Sequence, residues 1–370
     1  MTITVIAGIE RFAALTREWN ELLRDSAADS PFLTAEWLQA WWANAAGTHT
    51  LHIITARDDD DRLIAIAPLM VTSGPLGMFR RLDFLGTGFA GSDYLDVIVR
   101  HGHEREGVDA IATAIRQENA LLCLDHVAES SLALTLGERL AGTGWISKRT
   151  PASVCPIVTL AGHSWDSYLG SLGSSHRANV RRRLRALTKQ YTVSFDAVAD
   201  DASRQEALTA LHRFHGQRFG VRGSTAFVSP ALLAFHDDAT RRLRDAGWLR
   251  LFVLRLDTAV VAVMYGFSYN HRFYFYQHGF DAQYESQSVG LVLMALTIQA
   301  ALDEGSIEFD MLYGTEAYKW LWARNQRPLV QLRLYPPDLG GLVYRRTAEA
   351  ERAMRAVARR ILSIGGARAS

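Results

Sequence analysis

Cysteine is almost absent from this chain: Cys123 and Cys155 are the only two in 370 residues. Two thiols cannot build a disulfide framework or, alone, a thiolate zinc site. Both sit in apolar runs, LLCLDHV and SVCPIVTL, and read as buried core thiols. An excess of charge is missing too: 40 Lys+Arg face 39 Asp+Glu, a net charge of +1, which gives no global pull toward nucleic acid. No window of about 18 residues is apolar and uncharged enough to span a bilayer. The start, MTITVIAGIERF, lacks the basic residues and long apolar stretch of a signal peptide, so the expectation is a cytoplasmic protein. The glycines of FLGTGFAG are not followed by a P-loop lysine, and no Gly-x-Ser-x-Gly occurs, which argues against nucleotide hydrolysis and a serine hydrolase. What is present is an apolar fraction of 48%, with 10% aromatic and 21% charged residues, the composition of an ordinary globular protein and not of a disordered one. The length suggests two domains or one large one.

Periodicity predicts alternating helices and strands. Ile9 to Arg24 has helical spacing, and Thr34 can cap the helix AEWLQAWW. Strands are expected at LHIITA, LIAIAPLM, FRRLDFL and YLDVIV, the first two joined by a hairpin over Asp58 to Arg62. A helix near Arg105 to Arg116, the strand LLCLDHV, a further helix, and separate strands near GWISKRT and CPIVTL close the first half. The second half repeats that order: helices near Ala202 to Gln217 and Pro230 to Ala246, then the strands LRLFVLRL, VVAVMYGFSY and RFYFYQHG. The helix VGLVLMALTIQAALDEG, the strand IEFDML, a short helix at EAYKWLW and the strand LVQLRLY complete it. A pattern recurring at roughly 200 residues without shared identity implies two α/β units of similar topology.

Four stretches carry candidate chemistry. Gly290 opens an apolar helix with Ser288 as its expected N-cap, and such a terminus offers unpaired N–H groups to a phosphate. Downstream, Asp310, Tyr313, Gly314, Tyr318 and Lys319 cluster after a short strand, where Tyr can give a proton, a carboxylate can orient or take one, and Lys can clamp an anion. From Arg177 to Lys189 the chain holds six basic residues and no acidic one. Arg177 and Arg181 share a helix face that could grip a phosphate or could simply be solvated; a nucleic-acid surface is disfavoured because stacking aromatics are sparse there. Asp93 and Tyr94, after the Gly-rich FLGTGFAGS, could line a substrate. His212 and His215 stand i, i+3 without a further ligand to complete a metal site, so no metal is expected. The segment from Leu342 to Ile364 is rich in arginine beside an apolar stripe, and either packs on the body of the protein or rests on an anionic membrane surface.

The run SQSVGLVLMALTIQAALDEGSIEFDMLYGTEAYKWLWA resembles the C-terminal signature of the CelD-like acetyltransferases, a branch of the GNAT superfamily. That branch shows Ser-Pro-Gly before the helix, then Asp, Gly and Tyr-Lys; here these are Ser288-Val289-Gly290, Asp310, Gly314 and Tyr318-Lys319. SPFLTAEWLQAWW, LDFLGTGFAGSDYLDVIV and SSHRANVRRRLRAL resemble its other segments, so the likeness runs from about residue 30 to about residue 335. Against the general GNAT phosphate motif Gln/Arg-x-x-Gly-x-Gly/Ala, Gln287 and Gly290 fit and Val292 departs. The resemblance implies an α/β (α+β) fold of two tandem GNAT-like units, each a mixed, mostly antiparallel sheet flanked by helices, as in the related Fem aminoacyltransferases. The expected division is 1–162, 163–340 with the cofactor cleft, and a basic C-terminal helix and tail over 341–370. It further implies an N-acyltransferase that takes acyl-CoA, acetyl-CoA by default, to an amine such as an amino sugar, an amino acid derivative or a polysaccharide precursor. Tyr318 matches the acid that protonates the thiolate, with Asp310 or His278 assisting the amine. Gln287, Ser288, Val289, Gly290 and Lys319 match the cofactor side, and Arg177, Arg181, Asp93 and Tyr94 the substrate side. Two alternatives stay open: a Fem-type transferase using aminoacyl-tRNA, and a non-catalytic subunit of a polysaccharide-synthesis complex.

Overall fold

Alternation of apolar and polar residues in TITVI makes a strand of the very start of the chain, β1 (Thr2–Ile6). The computed structural model describes residues 1–73, 80–88, 90–118, 120–219, 229–338 and 340–346. After β1 come α1 (Ile9–Ala14) and α2 (Thr16–Arg24), separated at Leu15 where one continuous helix is expected, then a 3-10 turn and α3 (Ala35–Ala45). Thr34 does cap α3, its hydroxyl accepting from the Trp37 N–H at 3.3 Å. Strands β2 (Thr50–Arg57), β3 (Leu63–Ser73), β4 (Arg80–Phe84) and β5 (Ile98–Val99) precede α4 (Glu104–Glu118), β6 (Leu121–Ala128), α5 (Leu132–Ala141) and β7 (Ile146–Thr159). Two linking helices, α6 (Trp165–Ser171) and α7 (Ser174–Gln190), lead to β8 (Val193–Ala197), α8 (Asp201–Phe219), α9 (Pro230–Asp245), β9 (Leu249–Leu256), β10 (Ala259–Tyr269) and β11 (Arg272–Phe280). The chain continues through a 3-10 segment (Ala282–Gln287), α10 (Val289–Asp303), β12 (Glu308–Asp310), a 3-10 turn (Lys319–Leu321) and β13 (Asn325–Tyr335).

The second half thus repeats the element order of the first. The strands form one 13-stranded sheet in the order β1-β2-β3-β4-β6-β13-β7-β12-β11-β10-β9-β8, with β5 beside β3. Pairing is antiparallel except at β4–β6 and β11–β12, one parallel pair in each half. The mixed, mostly antiparallel sheet flanked by helices is as expected. The exchange of last strands is not. Strand β13 lies between β6 and β7, while the end of β7 pairs with β12 through Thr159 and Glu308. Each half therefore completes its sheet with the other's final strand.

One consequence corrects the expectation of two strands near GWISKRT and CPIVTL. They are one strand, β7, because β13 pairs along its length from Ile146 to Ile157. Pro151 and Pro156 are tolerated inside it, with Ala152 bulged out between Pro151 and Ser153. Between the halves, α3 packs on α9, and Trp37 meets Phe235 and Tyr276 edge-on with centroids 5.0 and 5.4 Å apart. On the opposite face of the second sheet half, α10 and α7 cover Phe273 and Phe309, whose rings stack at 4.7 Å. Among the described residues no helix is long and apolar enough to cross a membrane. Of the expected helix from Leu342 to Ile364, residues 347–364 lie outside the described residues.

Candidate active site

Strand β12 is only three residues long, and it pairs with β11 only at Arg272, Phe273 and Tyr274. Past that point β11 runs on beside β10 to Phe280, while the chain after Asp310 turns along β7, where Gly314 N–H donates to Val154 O. The two strands therefore splay, and among the described residues the outer edge of β11 has no strand partner past Tyr274. A bulge sharpens the bend: Gln277 faces Tyr265 and Phe275 faces Gly266, so Tyr276 is the extra residue. Glycine is required at 266, since a Cβ there would come within 2.6 Å of the Phe273 ring and 2.7 Å of Tyr274 O.

The N-terminus of α10 opens onto this splay. Ser288 occupies the N-cap position as expected, yet it is left-handed, φ 59° and ψ 39°, and its side chain caps nothing. That corrects the expected cap and leaves the first-turn N–H groups of Val289 and Gly290 available. A cavity of about 210 Å³ lies here, walled by His278 and Phe280 of β11, Ser288 to Leu291 and Met294 of α10, and Tyr318 with Trp322. The His278 and Tyr318 ring centroids are 5.7 Å apart. Gly290 is small for a steric reason: a Cβ would sit 3.1 Å from the Phe280 ring.

Of the expected residues, His278, Ser288, Val289, Gly290 and Tyr318 gather at this cavity. Val289 contributes its backbone, its side chain being fully buried in the core. Gln287 ends the preceding 3-10 segment, where its Oε1 accepts from Ser286 at 2.7 Å. Lys319 does not face the cavity as an anion clamp would. Its buried ammonium donates to Tyr313 O at 2.8 Å and Leu312 O at 3.3 Å and pairs with Glu316 at 3.1 Å, which uses its three donors to brace the loop. Arg177 donates to Gly170 O at 2.8 Å and Arg181 stands 3.7 Å from Asp166, so both turn toward α6 instead of the cavity. The arginine of α7 that reaches the loop before α10 is Arg183, donating to Ser286 O at 3.0 Å. Counting i, i+4 from Arg177 passed over it.

Asp310 is placed apart from the cavity, in a buried seam between the halves. It accepts from the Tyr94 hydroxyl at 2.6 Å, Arg327 at 2.8 Å and the Leu312 N–H at 2.8 Å. Burial pushes its carboxyl up to about 7, against the pull of Arg327, Tyr94 and the Leu312 N–H. Burial also raises the Tyr94 phenol, and Arg327 lies over the Tyr94 ring at 5.3 Å. Beside this seam Asp93 joins two partners that sequence reasoning did not connect: His126 Nδ1 at 2.8 Å and the Tyr313 N–H at 2.8 Å. Among the described residues no group of three or more His, Cys, Asp or Glu could hold a metal ion.

A splayed parallel pair beside an uncapped helix N-terminus, in a sheet built twice over, defines a fold of the GNAT kind. Residues 174–320 match the family described as "Acetyltransferase (GNAT) domain". Solved structures of similar fold include FemX, with 11% identity, 93% of this chain and 99% of that chain covered, and a TM-score of 0.64. A conserved protein of unknown function from Bacteroides thetaiotaomicron VPI-5482 shares 13% identity over 90% of this chain and 99% of its own, at a TM-score of 0.56. L-PGS from Bacillus licheniformis shares 12% over 88% and 92%, at 0.54. At such identities the likeness is one of fold. No curated protein matches the chain in sequence.

Proposed function

We propose that this protein is an N-acyltransferase of the CelD-like kind, moving an acyl group from a CoA thioester to an amine. The observation that carries the reading is the single cavity joining the uncapped α10 N-terminus to the Tyr318–His278 pair. An anionic pyrophosphate is favoured by free N–H groups and the positive end of the helix dipole at Val289 and Gly290. The apolar wall of Phe280, Met294 and Trp322 suits a pantetheine arm and a small acyl group. The amine attacks the thioester carbon, the C–N bond forms as the C–S bond breaks, and Tyr318 gives its phenol proton to the departing thiolate. Asp310, tied to Arg327 and Tyr94, acts in this reading as a strut and not as the base. The acceptor is an amino sugar, an amino acid derivative or a polysaccharide precursor.

Release of free thiol from acetyl-CoA and longer acyl-CoAs, measured with and without amines such as glucosamine, tests the proposal. Amine-dependent thiol release supports it. Transfer from aminoacyl-tRNA alone favours the Fem-type alternative, with Arg182, Arg185 and Lys189 exposed on α7 as the RNA-facing charge. Activity with neither donor favours a non-catalytic subunit. Peripheral membrane contact through the arginine-rich C-terminal segment is tested separately, by sedimentation with anionic liposomes at low salt.

A further inference from the structure

His126 occupies a position where its backbone is costly. It lies inside β6, yet its φ is +58°, a left-handed value that suits glycine and that a histidine adopts rarely. The cause is a bulge: Leu124 pairs with Leu332 and Val127 with Val330, so Asp125 and His126 together face the single residue Gln331. Bulges re-aim side chains, and this one carries the imidazole to Asp93, whose carboxylate is almost completely buried. With Nδ1 engaged there, Nε2 is the nitrogen left for a substrate, and the side chain is 25% exposed. A buried carboxylate orienting a partly exposed imidazole is a general-base arrangement.

A chain of hydrogen bonds links the pair to the splay. The Tyr276 hydroxyl at the β11 bulge donates to Ala90 O, which holds the loop carrying Asp93 against that strand. Tyr276 and Leu312 belong to the core between the halves, whereas Phe275 and Met311 belong to the core under α10. Asp93 accepts the Tyr313 N–H, and Tyr313 O in turn accepts from Lys319, the residue next to Tyr318. One short loop thus ties this pair to the acid on the donor side. The exposed Tyr313 ring lies 5.2 Å from the imidazole, tilted against it.

We propose that His126, oriented by Asp93, is the base that takes the proton from the incoming amine on the acceptor side of the splay. This rests on the acyl-transfer reading. An ammonium gives one proton to Nε2 of His126, and the freed lone pair forms the C–N bond while the C–S bond breaks. The thiolate takes the Tyr318 proton, and the second proton leaving the nitrogen as the amide forms restores the phenol. His126 then releases its proton to water. The groups facing the ring are Asp93 from the loop, Tyr313, and Asp125 of its own strand, which pairs with Arg333 at 2.7 Å. Burial opposes charging of the ring, but the hydrogen bond and charge of Asp93, with the charge of Asp125, outweigh it and raise its pKa. Because the base works neutral, the rate rises with pH through that raised value.

The test uses full-length protein, acetyl-CoA and two probe amines: glucosamine, largely protonated at neutral pH, and hydroxylamine, largely neutral. His126→Asn keeps a residue that tolerates the left-handed backbone. It should lower kcat/KM for glucosamine by about 100-fold and abolish the acid limb of the pH profile, with a loss for hydroxylamine at least about tenfold smaller. Asp93→Asn should move the acid limb to lower pH, and in the resting protein it should lower the pH at which the His126 imidazole titrates by nuclear magnetic resonance. Equal losses on both amines with the limb intact, or no loss on either, overturn the role of His126 alone. A wild-type protein inert toward both amines overturns the acyl-transfer reading and this role with it. An imidazole titration unmoved by Asp93→Asn overturns the pairing itself.

Discussion

The tyrosine proposed to give a proton and a lysine that braces a loop stand side by side at positions 318 and 319, and experiment separates the two. Tyr318→Phe should lower turnover by roughly 10²–10⁴ while donor affinity, read by calorimetry, stays within about threefold. Lys319→Ala strips donors from two carbonyls and Glu316 in a buried loop, so it should cost about 2–4 kcal/mol in denaturant unfolding. Donor affinity of the folded Lys319→Ala molecules should change little, which an anion clamp would not allow. The positions of Tyr318, His278 and Gly290 were legible because each lies near a recognisable strand end or helix start. The inward turn of Lys319 was not, since which way a lysine points depends on carbonyls that only the folded loop brings together. His126 was hidden for a different reason. Its partner Asp93 is 33 residues away, and the bulge that joins them is made by pairing with β13, some 200 residues downstream.

At the level of elements, α10 starts without a side-chain cap of its own. Ser288 holds a left-handed backbone with no side-chain cap in return. Ser288→Gly should therefore raise stability by about 0.5–1 kcal/mol, because glycine takes that conformation freely and no side-chain bond is lost. Chemical denaturation gives the answer, and a destabilised Ser288→Gly would mean that the hydroxyl has a structural partner. Helices α3, α9 and α10 were readable from their apolar spacing, and Thr34 accepts the Trp37 N–H that its expected cap position requires. Strand β7 was not readable as one element, because Pro151 and Pro156 interrupt its pattern and only the long partner β13 holds it together.

Over the whole molecule, the repeated order of elements was visible in the sequence, but the reciprocal exchange of β7 and β13 was not. Strand exchange is a matter of pairing partners, and periodicity carries no information on partners. Since β13 sits inside the first half's sheet, neither 1–162 nor 163–340 should fold alone. Each should lack a cooperative unfolding transition, and mixing the two should restore one. Asp96 adds a pH dependence to the stability of the intact chain. It is fully buried, and burial raises its carboxyl from 3.8 to about 6 despite bonds from Ser131 and the N–H groups of Ala133, Val97 and Leu132. The folded state therefore holds a proton that the unfolded state releases between about pH 4 and 6, and stability from this group falls as pH rises through that window. Between pH 4.5 and 6.5 the change is on the order of 2 kcal/mol, and Asp96→Asn should remove it from the difference between unfolding curves at those two pH values.

The central claim is that the open N-terminus of α10 receives the phosphates of an acyl donor. Calorimetric titration of CoA into the full-length protein and into Gly290→Glu measures it directly. The account predicts saturable binding to the wild type and at least about tenfold weaker binding to the variant, shown by its circular dichroism and unfolding transition to be folded. Equal CoA affinity in the wild type and a folded Gly290→Glu protein, or no binding to either, would contradict it.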